Sequence, residues 1–309
     1  PQMTENIRYD GSLKASVILK DLAPFVPALS RFEEPLDLNL VFSGHGKHLD
    51  CPTLRLTNHH GLMIAGEAAL SNWDAGMDMY IYGKLGNLTM TKEGINVLMT
   101  NLTGKVPPIL QRLDYIRFNG EAAGYLHDLT LTGLFHTGAG MVKTDVMMSI
   151  DEQSMSRTYS GSVASADLDL GKLLNQEKKF GKVDFNVELK GFNYKNRYPE
   201  SYIKGIISSF EYSQYQYENI MLDGVYKDGG FNGRLSMDDA NGSVQIDGNF
   251  NVAKTIPDFN LKASVKNLRP HDLHLSDKYE NASISLGLTA DFTGKSIDDM
   301  NGRISLDSL

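Results

Sequence analysis

The chain has 309 residues, of which 41% are hydrophobic and 22% charged, with a formal charge of −8 and an isoelectric point near 5.5. That apolar content is enough to offset chain entropy and excludes wholesale disorder. The acidic balance excludes a duplex-DNA binder, which needs a basic face to displace counterions, and provides no electrostatic draw towards anionic membrane surfaces.

From the N-terminus, "PQMTENIRYDGSLK" lacks a basic segment followed by an apolar core, so it does not read as a signal peptide. The opening proline suggests a piece trimmed from a longer chain. No later stretch approaches the ~18–20 apolar residues of a membrane-spanning helix. "KASVILKDL" reads as a strand ending at Leu22, and "PFVPALSRF" (24–32) as a short helical connection. The next strand carries Leu36, Leu38 and Leu40 on one face with Asp37 and Asn39 on the other. "NHHG" (58–61) marks a tight turn. "IYGKLGNL" ends at Leu88. "TKEGINVLMTNL" (91–102) then opens with Thr91 and Glu93 and spaces Ile95, Leu98, Met99 and Leu102 as one helical face. "LDYIRFNGEAAG" (113–124) returns as a strand, and Leu129 and Leu131 alternate with threonines.

"GSVASADL" runs to Leu168, and "DLGKLLNQEKK" (169–179) predicts a helix with Leu170, Leu173 and Leu174 on one side. From Val183 to Lys190 the alternation is strict: Val183, Phe185, Val187 and Leu189 share one face, and Asp184, Asn186, Glu188 and Lys190 the other. The turns "KDGG" (227–230) and "DDANG" (238–242) precede the pair Val244 and Ile246. "KASVKNL" ends at Leu268, "PHDLHLSDKYE" (270–280) is a fourth helical candidate, and Ile284, Leu286 and Leu288 close the series. Strands with one dry and one wet face have the antiparallel habit. Roughly seventeen strands are counted this way, and in a single sheet they would span about 80 Å. The predicted class is all-β: an elongated, curled antiparallel sheet with a few short helices at strand connections.

Four times, a strand ends in a leucine (Leu22, Leu88, Leu168, Leu268), a short helical connection follows, and an amphipathic strand returns to a glycine. Repetition of one supersecondary unit points to a quasi-one-dimensional architecture. The expected units are residues 12–76, 77–153, 154–257 and 258–309, the last truncated. Two stretches, "SGSVASADLDLGKLLNQEKKFGKVDFNVELKG" (160–191) and "YQYENIMLDGVYKDGGFNGRLSMDDANGSVQIDGNFNVAK" (215–254), resemble the TamB-like branch of the AsmA-like envelope proteins, particularly the large forms of Bacteroidetes-type bacteria. In the second, the similarity rests on Asn219-Ile220, Leu222-x-Gly224, Phe231-x-Gly233, Asp238-Asp239 and Gly248-x-Phe250. These are strand and turn residues, and the resemblance is strongest from about 155 to 295.

The resemblance implies a periplasmic protein anchored in the inner membrane and reaching towards the outer one. Its body would be a gutter-like sheet whose apolar face carries phospholipid acyl chains, in a branch also linked to outer-membrane protein assembly with an Omp85-type barrel. This chain would then be an internal segment of such a protein. The lipid-facing candidates are Leu36, Leu38, Leu40, Val183, Phe185, Val187, Leu189, Val244, Ile246, Ile284, Leu286 and Leu288. The residues alone leave open a closed sandwich or barrel in which the same face is core. Edge strands of such a segment offer unpaired backbone to a neighbouring copy.

Residues with chemistry do not assemble into a catalytic pattern. Gly171-Lys172 lacks the phosphate-loop frame at both ends, since Leu173 stands at the hydroxyl position and Ala166 at the first glycine. His45, His48, His59 and His60 lie near Asp50 and Cys51, at spacings that fit no structural zinc motif. Cys51 is the only cysteine, so an internal disulfide is excluded. The acidic pairs Asp151-Glu152, Asp238-Asp239 and Asp298-Asp299 sit at turns, where carboxylates bond their own backbone. No Gly-x-Ser-x-Gly elbow occurs. Tyr194, Tyr198, Tyr202, Phe210, Tyr212, Tyr215 and Tyr217 form an aromatic cluster. It supports the alternative of a secreted carbohydrate-binding or adhesin-like β-protein, or else simple cross-strand packing. The expectation is therefore a non-enzymatic lipid conduit or assembly scaffold, without cofactor, catalytic residue, metal or nucleic-acid partner.

Overall fold

The computed structural model describes residues 7–23, 30–151, 153–154, 156–193, 200–251, 254–278, 280–295 and 299–307. Its seventeen strands are those that the alternation predicts in kind and number. They divide between two units, residues 1–149 and 150–309. That division falls close to the 153/154 boundary of the expected repeats. The 76/77 boundary lies between two paired strands of the first unit, and 257/258 lies just before a strand of the second.

The first unit holds β1 (Arg8–Ile18), β2 (Pro35–His45), β3 (His48–Thr57), β4 (Leu62–Ser71), β5 (Tyr80–Thr91), β6 (Tyr115–Tyr125), β7 (Asp128–Thr137) and β8 (Gly140–Ile150). The second holds β9 (Arg157–Asp169), β10 (Phe180–Asn193), β11 (Glu200–Tyr212), β12 (Tyr215–Lys227), β13 (Gly230–Asp239), β14 (Gly242–Asn251), β15 (Asp258–Leu268), β16 (Ile284–Thr293) and β17 (Asn301–Asp307). Within each unit every strand pairs antiparallel with its chain neighbours. Each unit is thus an open meander built from hairpins.

Register converts the alternation into rows that run across the strands. In the first unit Ala15, Leu38, Leu56, Ile64, Leu88, Phe118, Phe135 and Val142 stand opposite one another in turn. In the second, one row reads Val163, Val187, Gly205, Leu222, Leu235, Ile246, Ala263, Leu288 and Leu306. The adjacent row on the same face reads Phe185, Ile207, Ile220, Met237, Val244, Val265 and Leu286.

The opposite face of the second unit carries a charge ladder: Glu188, Lys204, Asp223, Arg234, Asp247 and Lys262, alternating in sign from strand to strand. Two of its contacts are ion pairs, Lys204–Asp223 at 3.6 Å and Arg234–Asp247 at 2.7 Å. Each exposed pair contributes little by itself. Opposite charges directly across strands nonetheless favour this register over slipped ones.

Glycines relieve crowding where aromatic rings lie flat on the sheet. Gly120 and Gly133 oppose each other, and a Cβ on Gly120 would stand 2.6 Å from the ring of Phe118. The Phe118 ring also packs 4.5 Å from that of Phe135. Glycine with an aromatic neighbour is a recurring device of curved sheets.

The α-helices occupy one end of each meander, while a short 3-10 turn, Gly76–Asp78, lies at the opposite end of the first, between β4 and β5. α1 (Lys92–Thr103) and α2 (Pro108–Gln111) join β5 to β6, and a 3-10 turn, Leu19–Leu22, follows β1. Thr91 caps α1 by accepting from Gly94 N–H at 3.2 Å, and Gly104 ends it in the left-handed region at φ 78°, as Thr91 and the 91–102 spacing predict. Of its predicted apolar face, Ile95 is fully buried and Leu98 and Met99 half-buried, while the side chain of Leu102 lies outside the described residues. α3 (Leu170–Leu174) joins β9 to β10 and is shorter than the predicted 169–179. Asn175, left-handed at φ 57°, stops it. The predicted helix 24–32 falls mostly outside the described residues. The predicted helix 270–280 is instead a series of turns: the amides of Leu275 and Ser276 both donate to Pro270 O, and His274 turns left-handed at φ 55°.

Candidate functional site

The fully buried side chains concentrate at the helix-bearing ends. In the first unit Phe32, Leu36, Leu62, Ile95, Leu113, Ile116 and Phe118 are each at most 9% exposed. In the second, Leu168, Leu173, Val183, Tyr217 and Leu273 are each at most 8% exposed. Away from those ends the apolar face is half-covered: Leu54, Ile64, Leu131, Ile207, Leu222, Leu235 and Ile246 are all intermediate in exposure. The total exposed surface is 19322 Å². Two separate compact bodies of half this mass would expose on the order of 15,500 Å². Among the described residues, no second layer covers these sheets away from the helix-bearing ends as a globular core would be covered.

The lipid-facing residues predicted from sequence sort into two groups. Leu36, 4% exposed, and Val183, 6% exposed, belong to the plugged ends and are enclosed by the protein's own side chains. Leu38, Leu40, Phe185, Val187, Leu189, Val244, Ile246, Leu286 and Leu288 are half-buried on the open face, and Ile284 is exposed. Register brings Phe185, Val244 and Leu286 into one row and Val187, Ile246 and Leu288 into the next. Leu36, Leu38 and Leu40 are neighbours along β2 in the first unit. Ile207, Ile220, Leu222 and Leu235 belong to the same rows, and the sequence pattern does not single them out. Runs such as Ile220-Met221-Leu222 hide the period of two, and the structure resolves it: Met221 stands opposite Ile206 on the wet face, 55% exposed.

The plug of the second unit has two parts. Asp169 caps α3, with Oδ1 accepting from Lys172 N–H at 2.8 Å. A Cβ on Gly171 would meet Phe180 O at 2.1 Å, so only glycine lets the helix seat against β10. Gly171-Lys172 is therefore a packing joint. The second part is the segment after β15, which folds over the aromatic cluster. Tyr217 Oη donates to Leu273 O at 2.7 Å, and His274 Nδ1 contacts Ser213 O at 2.9 Å. Tyr215 and Tyr217 pack edge to face at 4.8 Å, and Phe180 and Tyr212 lie 5.4 Å apart. The Tyr215 phenol is pushed up to about 12, first by burial and then by donating to Asp239. These aromatics spend their faces on one another. Tyr202 is 40% exposed and reaches Asp223 instead, at 2.7 Å. Tyr194 and Tyr198 lie outside the described residues.

The histidine-rich stretch of the first unit does not converge. His48 bonds Ser71 Oγ at 2.7 Å and Asp50 Oδ2 at 2.9 Å. Cys51 faces the dry side opposite Ala68, and its thiol is raised by burial and by Asp50. His60 has a separate role at the plug. Its Nδ1 meets Glu93 Oε1 of α1 at 2.7 Å, its Nε2 stands 3.2 Å from Glu34 Oε2, and its carbonyl accepts from Thr91 Oγ1 at 2.7 Å. The turn between β3 and β4, the lead into β2 and the start of α1 meet at this one residue.

Glu93's hydrogen bond first, and Glu34's charge after it, raise the His60 pKa above its ordinary 6.5. A raised folded-state value stabilises the clasp fully below the unfolded value, and the contribution is lost as pH rises through the folded one. The denaturant midpoint of the first unit should therefore fall as pH rises from mildly acidic to mildly alkaline. His60→Gln should flatten that slope. A wild-type slope equal to the variant's would remove the clasp.

No known family model, curated protein or solved structure matches this chain.

Proposed function

We propose that the chain is a non-enzymatic conduit or scaffold segment whose open apolar face binds phospholipid acyl chains, in the manner of the AsmA-like, TamB-type proteins it resembles. On this reading it works in the periplasm between two membranes, as part of a longer envelope-spanning protein. The observation that carries the reading is the set of half-covered apolar rows running across each meander, backed by a wet, charge-laddered face in the second unit. In that unit a row crosses eight strands from β10 to β17, or about 34 Å at the usual spacing. That is long enough to lay out an acyl chain. A fully buried methylene contributes about 0.8 kcal/mol. A tail lying against one face gains roughly half of that per carbon, so a dozen carbons give about 5 kcal/mol. That suffices for occupancy while leaving the lipid able to move along the row. The helices and folded-over segments would stop lipid at one end of each meander and leave the rest of the face accessible.

The test is to purify the 309-residue chain from a Gram-negative host without detergent and to quantify extracted lipid by mass spectrometry. Near-stoichiometric phospholipid is expected, with headgroups in host proportions because the rows recognise tails. Lipid-free protein that also fails to take up a fluorescent phospholipid from vesicles would sink the proposal.

A further inference from the structure

The dry face of the second unit ends differently on its two sides. On one side the plug closes it with Leu168, Leu173, Val183, Tyr217 and Leu273. At the opposite strand ends, the last row before the turns is aromatic. Tyr226, Phe231, Phe250, Phe259 and Phe292 stand opposite one another in turn, from β12 to β16. Each lies four residues along its own strand from Leu222, Leu235, Ile246, Ala263 or Leu288, so the aromatic and aliphatic rows share a face, about 13 Å apart.

Facing rings pack in pairs, Phe231 with Phe250 at 5.7 Å and Phe259 with Phe292 at 4.7 Å. The ring of Phe231 also leans over Gly224, where a Cβ would stand 2.6 Å from it. Tyr226 is 42% exposed, and the four phenylalanines are half-buried. Beyond this row the surface turns polar. Lys227 Nζ meets Glu200 Oε2 at 2.7 Å, Lys254 pairs with Asp258, and both lysine side chains are more than half exposed. Asn251, beside Phe250, donates to Asp228 O at 2.9 Å.

Aromatic rings between apolar surface and water are what a lipid interface favours, since a ring tolerates both tails and headgroups. An amphiphile on a face closed at one side can keep its polar end wet only at the other. A headgroup set against the plug would lose its water with no partner. We propose that the aromatic row is the lip at which the headgroup of a bound phospholipid leaves the dry face, with the glycerol over the rings and the tails on the aliphatic rows. The proposal rests on the lipid reading above and gives it a direction across the strands. From Phe250 to Val244, six residues, the face is about 20 Å wide. The tails of one bilayer leaflet need ~15 Å, half of the hydrocarbon core. A lipid can thus slide along the rows with its headgroup kept at the lip.

The test sets a tryptophan at each side of the face. Trp73, the only tryptophan and 43% exposed, is first replaced by phenylalanine. Phe259→Trp then reports the aromatic row, and Phe185→Trp the row next to the plug. Phe231→Trp and Leu286→Trp stand in for them where either variant fails to fold. The full chain is loaded from vesicles of phosphatidylcholine carrying a nitroxide either on the headgroup or near the methyl end of a tail. The headgroup label should quench Phe259→Trp at least about twofold more than Phe185→Trp, and the tail label should reverse that order. Equal quenching at the two positions, or the opposite order, would overturn the lip while leaving lipid binding intact. No quenching at either position by either label would mean that no lipid lies on this face, and the lipid reading would fall with the lip.

Discussion

Replacing Leu273 by alanine is expected to destabilise the second unit by about 2–5 kcal/mol, the range for removing a fully buried leucine side chain when its surroundings cannot collapse. Leu273 is completely buried although it lies in a segment without regular structure. Its backbone is fixed on both sides: its amide donates to Arg269 O at 3.1 Å, and its carbonyl accepts from Tyr217 Oη at 2.7 Å. A cavity there would loosen the segment that folds over Tyr217, itself only 8% exposed. Leu275→Ala is the internal control. Leu275 sits two residues on, 53% exposed, and its loss should fall within about 0.5 kcal/mol of neutral. Urea unfolding of both variants, with amide exchange read in β12 and in α1, gives the result. Exchange should accelerate in β12 and stay unchanged in α1. Equal effects of the two substitutions would show that the segment is not a plug.

The period of two, the hairpin turns and the capped helix after Thr91 were legible in the sequence because they are local. Each is decided by side-chain alternation, by glycine or asparagine in a turn, or by one hydroxyl at a helix start. The turns at 269–280 were not legible. Leu273 and Leu275 alternate there behind a proline, and the conformation is decided by Tyr217, more than fifty residues away in sequence. Rows were half-legible. Val183, Phe185, Val187 and Leu189 announce a dry face, but nothing local says that Phe185 shares a row with Val244 and Leu286 while Val187 shares one with Ile246 and Leu288. That depends on every intervening hairpin keeping its register. Consecutive apolar residues such as Ile206-Ile207 and Ile220-Met221-Leu222 carry no period at all, which hid the central strands of the same face. The ladder from Glu188 to Lys262 and the His60–Glu34–Glu93 clasp are likewise products of pairing, with no counterpart in any short stretch of the chain.

Leu235→Asp should remove bound lipid from the second unit at least about tenfold more effectively than any change on the wet face. Leu235 lies mid-row between Leu222 and Ile246, is half-buried, and belongs to a strand paired on both sides. In the empty protein a carboxylate there keeps much of its water, so the cost to folding is modest. Under an acyl chain it would have to give that water up with no partner, because its neighbours across the strands are a leucine and an isoleucine. Burial of an unpaired charge opposes binding by several kcal/mol, comparable to the roughly 5 kcal/mol that a one-sided tail contact supplies. Asn232→Asp adds the same charge to the same strand on the opposite face, where Asn232 is exposed beside Val225 and Asn249. It should leave lipid content unchanged. Lipid per protein by mass spectrometry, with thermal unfolding to confirm that both variants remain folded, separates the faces. Loss of lipid in both variants, or in neither, would show that the tails do not lie on this row, whereas loss in Leu235→Asp alone would assign the dry side of β13 to the lipid path.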